Sequence, residues 1–495
     1  MKRHERLNKL LAQATGYPLN IAHRGASGHC LQNTLSAFNY ASQLGADMWE
    51  LDVRLTADGV CIVSHDDSLL ATAGIDAFIS QLTYGELMQI ELYNGEVVPT
   101  FEQVLALAQA TDTGLYVELK DAGAGLKVLS VLSFTNFDAV CIGSFNPDWV
   151  KQLDEIGCEY PLSVLVRAGD CPFEQAKLAA ADMIHLCWEN ALDTPHKLIT
   201  EALLAQAASL QLPIVLWHEE RASEMEHLLV LPVLGICTNL PEMISGYRPS
   251  PENPIDIVLH RGAACVSPEN TMASTIIGLR SGAQVIELDV NTSLDGELMV
   301  IHDGTAQRTT DLTGEIQTLS SMDLTCCDAG SWFDARFVDQ AVPLLRDILL
   351  LVKDAEKELY VELKVADVDQ VITEVEQYYD LRHCFFWSFN SAYVDDIQQR
   401  YPQARVMRRR QDFASLEALV DHGKPSIVEY DYLRDDLTEL TQCKKMGMEV
   451  MLRYPGKNIS TWLELIALKP NRVNIDYPFA FAKAYRNWLQ TEQIH

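Results

Sequence analysis

The segment Trp49–Val53 reads W-E-L-D-V, so in an extended strand Glu50 and Asp52 share one face while Trp49, Leu51 and Val53 share the other. Two carboxylates side by side repel each other and cost free energy to desolvate. A hard divalent cation removes both problems, and oxygen ligands suit Mg²⁺ or Ca²⁺. The alternative is a pair of solvated or salt-bridged acids on a strand edge. What surrounds the pair argues against it. An apolar run at Ile21–Ala22 leads straight into His23-Arg24-Gly25, a second ends in Ser64-His65-Asp66, and a third ends in Glu118-Leu119-Lys120, where Glu118 and Lys120 share a face. Two histidines can work as base and acid across a phosphodiester, one taking a proton from the attacking hydroxyl and one giving a proton to the leaving alcohol. Which histidine does which stays open. Arg24, Lys120 and the cation would stabilise charge growing on the phosphoryl oxygens. Other chemistries lack their parts: there is no G-x-S-x-G elbow, no P-loop and no Rossmann glycine fingerprint. A glycosidase built on paired carboxylates would leave both histidines without a role.

The same set occurs twice. His23, Glu50 and His65 return at a constant shift as His260, Glu287 and His302, with Arg261 and Asp289 in the places of Arg24 and Asp52. "LYVELK" ending at Lys120 returns ending at Lys364, which brings Glu362 with it. Between His302 and Glu362 the second copy carries extra residues that include "DAGSWFD". The chain is therefore a duplication, and the reading is a helical extension over 1–17, a first domain over 18–246, a linker over 247–254 and a second domain over 255–495. The linker, "YRPSPENP", holds three prolines and cannot continue an element.

Elements must place these groups together. In the first half, short apolar runs at 21–22, 48–53, 60–64, 115–119, 139–143, 162–166, 183–186, 214–217 and 235–237 alternate with longer segments. One of these repeats Leu35, Phe38, Ala41 and Leu44 at helical spacing. Repeated βα units imply a parallel sheet, and about eight per half suit α/β architecture as two tandem (β/α)8 TIM barrels, with chemistry at the C-terminal ends of the strands. A doubly wound open sheet is disfavoured by the strand count.

The 495 residues exceed what one core serves. The net charge of −31 disfavours nucleic acid and stable association with anionic membranes. It also makes Arg24, Lys120 and their counterparts the local source of positive field for an anionic substrate. The start, MKRHERLNKLLAQATGYP, does not read as a secretory signal, and no uncharged apolar run is long enough to span a bilayer. The 12 cysteines show no framework spacing, which reads as reduced thiols and a cytoplasmic protein. Nothing in the sequence speaks to oligomeric state.

Taken in order, HRG, an E-N-T triplet, E-L-D-V, a run ending in H-D, and E-L-K resemble the motif series of the glycerophosphodiester phosphodiesterase family, in two tandem copies. The resemblance implies hydrolysis of small-molecule glycerophosphodiesters to glycerol 3-phosphate and an alcohol, with Mg²⁺ or Ca²⁺, one per barrel. Carried over by position, His23, His65, His260 and His302 are the catalytic histidines. Glu50, Asp52 and Glu118, with Glu287, Asp289 and Glu362, are the metal ligands. Arg24, Lys120, Arg261 and Lys364 are the phosphate contacts. The first copy departs from the pattern with Gln32 where the second keeps Glu269. The second carries Arg453 where the family has a late-strand Trp, which the first keeps as Trp217. The longer insertion around Ser331-Trp332-Phe333 is expected to cover the second mouth, and Arg408–Arg410 read as a salt-bridged surface run in preference to anion contacts over the mouth. With Glu269 and that insertion, the second barrel is expected to be the better catalyst. Two rivals stand beside this reading: a pseudoenzyme that binds phosphodiesters or serves as a scaffold, and a related barrel phospholipase.

Overall fold

The computed structural model describes residues 2–14 and 16–492, and the chain divides after Ser245 into two compact units. In the first, the apolar runs become β1 Leu19–His23, β2 Met48–Leu55, β3 Cys61–Val63, β4 Gly114–Leu119, β5 Val140–Ser144, β6 Leu162–Arg167, β7 Met183–Cys187, β8 Ile214–His218 and β9 Gly235–Thr238. All but β3 pair in parallel, and β1 bonds to both β2 and β9, so the eight strands close into a barrel. These strands are apolar and buried almost throughout because helices cover their outer faces. The run at 60–64 forms β3, which returns antiparallel to β2 and adds no stave. Residues 56–60 are too few for the crossover that a parallel neighbour requires.

The second unit repeats the plan with β10 Asp256–Leu259, β11 Val285–Thr292, β12 Leu298–Val300, β13 Glu358–Val365, β14 Cys384–Trp387, β15 Arg405–Arg409, β16 Ile427–Asp431, β17 Glu449–Tyr454 and β18 Arg472–Ile475. Strand β10 bonds to β11 and β18 to close it, and β12 lies antiparallel to β11. Residues 247–254 lie against this unit: Tyr247 is buried in its core and Tyr485 accepts from the Ser250 N–H at 2.9 Å.

The floors of the two barrels, at the N-terminal ends of the strands, are closed differently. In the first, the helix Lys2–Gln13 buries Leu7 and Leu10 against Leu19, Met48, Met183 and Leu234. Its Arg3 and Arg6 pair with Asp154 and Asp138. In the second, Arg472 is buried and bonds Glu449 at 2.6 Å and Glu358 at 2.9 Å, and Arg405 bonds the same two acids. Both guanidinium groups lie over the Phe385 ring. Among the described residues no helix is long and apolar enough to cross a membrane.

Candidate active site

At the opposite end of each barrel, register brings the acids together. Glu50 and Asp52 lie on one face of β2, and Asp52 stands directly across from Glu118 on β4. Asp289 faces Glu362 in the same way. The three carboxylates of each set are buried, with ligand oxygens all within 4.8 Å of one another. Lys120 Nζ braces the first set, 2.6 Å from Glu118 and 3.1 Å from Asp52. Lys364 makes the same two contacts with Glu362 and Asp289.

Burial and crowding set the charge states. Burial first, then the neighbouring Asp52 and Glu118, hold the Glu50 carboxyl well above the usual range. Burial and Asp52 push Glu118 up to about 7. Burial would raise Asp52 as well, but Lys120 and Arg24 outweigh it and hold it at about 2. Glu287 and Glu362 are raised by burial and by Asp289. The donor set fits a hard cation: all ligands are oxygens, and Glu287 Oε1 is buried with no hydrogen-bond partner among the described residues.

Local backbone geometry explains the motifs. Arg24 adopts φ 55°, which turns its N–H onto Glu50 Oε2 at 3.0 Å and lets its Nε approach Asp52 at 3.2 Å. Gly25 follows at φ 81°, where a Cβ would lie 2.7 Å from the Ala37 carbonyl carbon, so glycine is required to seat the turn on the next helix. Arg261 and Gly262 repeat both features. In the E-N-T region, Thr34 and Thr271 cap the helices Leu35–Gln43 and Met272–Arg280. The asparagine before each cap has a role that spacing did not reveal. Asn33 donates to Asp52 at 2.8 Å and Asn270 to Asp289 at 2.7 Å.

Each histidine is anchored through Nδ1, which leaves Nε2 outside that contact. His23 pairs with Asn239 Oδ1 at 2.7 Å, and His260 with Asp476 at 2.9 Å. His65 pairs with Asp66 at 2.8 Å, and His302 with Asp303 at 2.6 Å. An acceptor on Nδ1 makes it the protonated nitrogen of the neutral ring. Burial lowers His65 and His302, and lowers His23 well below its ordinary value with help from Arg24 and His218. Asn239 and Asp476 did not stand out in sequence, whereas Asp66 and Asp303 belong to the H-D motif without that motif revealing their role as anchors. Gln32 accepts from Arg24 Nη1 at 2.5 Å, and Glu269 from Arg261 Nη1 at 2.9 Å.

Three expectations change. Trp217 is fully buried with its indole 3.4 Å from Glu219, because β8 bulges there. Instead His218 pairs across to Cys237 as Arg453 pairs to Asn474, and it stacks on His23 with centroids 4.5 Å apart. Arg408–Arg410 do not form one surface run. Arg408 and Arg409 belong to β15, and the buried Arg408 binds Asp395. Arg409 lines the mouth between Trp387 and Phe389, 4.7 Å from each ring, and binds Asp412 at 2.8 Å, while Arg410 binds Glu439, so all three are salt-bridged as expected although not on one surface. The second mouth is a cavity of about 150 Å³ lined by His260, His302, Glu287, Lys364, Arg409 and Arg453, among others, and by none of Ser331, Trp332 and Phe333. Trp332 meets Phe333 edge-on, Phe333 meets Phe337 edge-on in turn, and the Trp332 indole donates to Ala329 O.

A sequence model of the glycerophosphoryl diester phosphodiesterase family matches residues 23–243 and again 260–450. A glycerophosphodiester phosphodiesterase from Bacillus altitudinis is 37% identical over 237 residues, which are 45% of this chain and 94% of its own length. One from Caldanaerobacter subterraneus subsp. tengcongensis is 29% identical over 240 residues, 46% of this chain and 96% of its own. Among solved structures, a glycerophosphodiester phosphodiesterase from Agrobacterium tumefaciens is 34% identical, with a TM-score of 0.44, and covers 46% of this chain and 99% of that one.

Proposed function

The chain belongs to the glycerophosphoryl diester phosphodiesterase family, and from that premise we propose that both barrels hydrolyse glycerophosphodiesters to glycerol 3-phosphate and an alcohol. The observation that carries this reading is a buried carboxylate triad beside two Nδ1-anchored histidines, built twice in one chain. Glu50, Asp52 and Glu118 would hold one Mg²⁺ or Ca²⁺, and Glu287, Asp289 and Glu362 a second. A bound cation supplies charge that neutralises the acids and polarises the phosphoryl group. The residues do the rest. Arg24 and Lys120, or Arg261 and Lys364, draw the phosphate into the mouth against the acidic surface. One histidine Nε2 removes the proton of the attacking hydroxyl while the other protonates the leaving oxygen. The acceptors on Nδ1 keep each ring in the tautomer and orientation that these transfers need.

Retention of all four histidines favours catalysis over a phosphodiester-binding scaffold, since binding alone needs no proton donor. Twelve free thiols fit a reducing, cytoplasmic setting. The test is release of glycerol 3-phosphate from a panel of glycerophosphodiesters, with lysophospholipids included for the phospholipase rival. Exhaustive chelation should abolish release, and Mg²⁺ or Ca²⁺ should restore it. Full turnover in a verified metal-free sample refutes the cation's part, and turnover of lysophospholipids alone refutes the substrate class.

A further inference from the structure

Resting on that reading of the second site, we propose that Arg308 is a positioning residue: it locks His302 and Arg261 into one rigid unit, a device the first barrel lacks. Its guanidinium spans two carboxylates. Nε and Nη2 reach Asp303 at 2.6 and 3.1 Å, and Nη2 and Nη1 reach Glu269 at 2.7 and 3.0 Å. Asp303 is the acceptor on His302 Nδ1, and Glu269 is the acceptor on Arg261 Nη1. One planar fork thus fixes the carboxylate that orients the proton-transfer ring and the carboxylate that orients the phosphate contact. Paired charge-assisted bonds of this kind are short and geometrically strict, and lysine does not reproduce them.

The first barrel has the same outline without the fork. The bridge Ser68–Phe78 corresponds to Thr305–Glu315, and the Leu69 N–H to Ala77 O bond corresponds to Ala306 to Gly314. That register puts the exposed Ala71 where Arg308 stands. The partners have changed with it. Gln32 replaces Glu269, and the Asp66 carboxylate, which among the described residues pairs only with His65, is 51% exposed against 28% for Asp303. Arg308 is itself 42% exposed, so its removal leaves no cavity and no buried unpaired charge. Its effect should appear in kcat and not in folding.

The test uses the full chain carrying His65→Ala, so that turnover reports the second site. Arg308→Ala should lower kcat by about 10–100-fold, the range in which outer-shell partners act, with Tm unchanged. Arg308→Lys, which keeps the charge but not the fork, should recover only part of the loss, and millimolar guanidinium should restore Arg308→Ala. In the reciprocal His302→Ala chain, Gln32→Glu with Ala71→Arg should raise kcat at the first site. An unchanged kcat in Arg308→Ala, full activity in Arg308→Lys, or a loss that guanidinium does not restore and that follows a fall in Tm would each overturn the proposal. Adding His302→Ala to the His65→Ala chain separates the two readings. Intact turnover there means the histidines are misread. Lost turnover there with an unaffected Arg308→Ala overturns the arginine alone.

Discussion

Asn270 holds Asp289 at both ends, and replacing it should loosen the second site by an amount that two variants can split. Its Nδ2 donates to Asp289 Oδ2 at 2.7 Å, its Oδ1 accepts from the Asp289 N–H at 3.3 Å, and it does so at φ 56°. Asn270→Ala removes a hydrogen bond to a buried charged acceptor, about 1.5–3 kcal/mol, and adds left-handed strain of about 1–2 kcal/mol. Arg261 Nε stays 3.4 Å from the same oxygen, which favours the lower end of a total of about 2.5–5 kcal/mol. Asn270→Gly loses the bond without the strain, so the difference between the two variants isolates the backbone cost. At about 2–4 °C per kcal/mol for a unit of this size, the second unit should melt roughly 5–20 °C lower in Asn270→Ala, towards the smaller shift, and measurably less low in Asn270→Gly. Calorimetry of the full chain reads both, with the unaltered first unit as internal reference. Cation affinity at the second site should fall about 10–100-fold in both variants, because the ligand loses its outer partner. An unchanged second transition in Asn270→Ala, or equal transitions for alanine and glycine, would refute this accounting.

The remaining predictions concern activity and the first floor. His65→Ala should remove only the first barrel's share of glycerol 3-phosphate release, and His65→Ala with His302→Ala nearly all of it, each site losing about 10²–10⁴-fold. Near-normal turnover in the double variant contradicts the assignment. The second barrel should show the higher kcat/KM when each site is assayed with the other silenced, because Glu269 and not Gln32 steadies its arginine. A better first site reverses the ranking. Leu10→Ala should cost the first unit about 2–5 kcal/mol and leave the second transition in place, so an unmoved first transition would show that the helix Lys2–Gln13 does not hold the floor.

Much of this was legible from sequence because barrel strands write themselves as apolar runs, and polar residues at their ends stand out against them. Glu50, Asp52 and Glu118 needed only strand alternation and one register to meet. What stayed hidden depends on contacts between distant segments or on a single added residue. Asn239 and Asp476 reach their histidines across the seam that closes each barrel, where sequence distance carries no signal. The bulge in β8 exchanges Trp217 for His218, since one extra residue reverses which side chain faces inward. Arg409 was hidden among like charges, although strand alternation sends it and Arg408 to opposite faces once β15 is known to run through them. The asparagines of the E-N-T region were visible as letters, but only their positive φ and the aspartate behind them explain the choice.

The two floors also give the duplicated chain an asymmetry in temperature. A helix that stoppers the first barrel with Leu7 and Leu10 relies on apolar burial, whose driving force fades on cooling. The Arg405 and Arg472 lattice beneath the second barrel relies on ion pairs gathered around the buried Arg472, and the desolvation penalty of such a charge shrinks on warming. Cold should therefore weaken the first half's floor and heat should spare the second's, so that the two copies of one site rest on opposite thermal slopes.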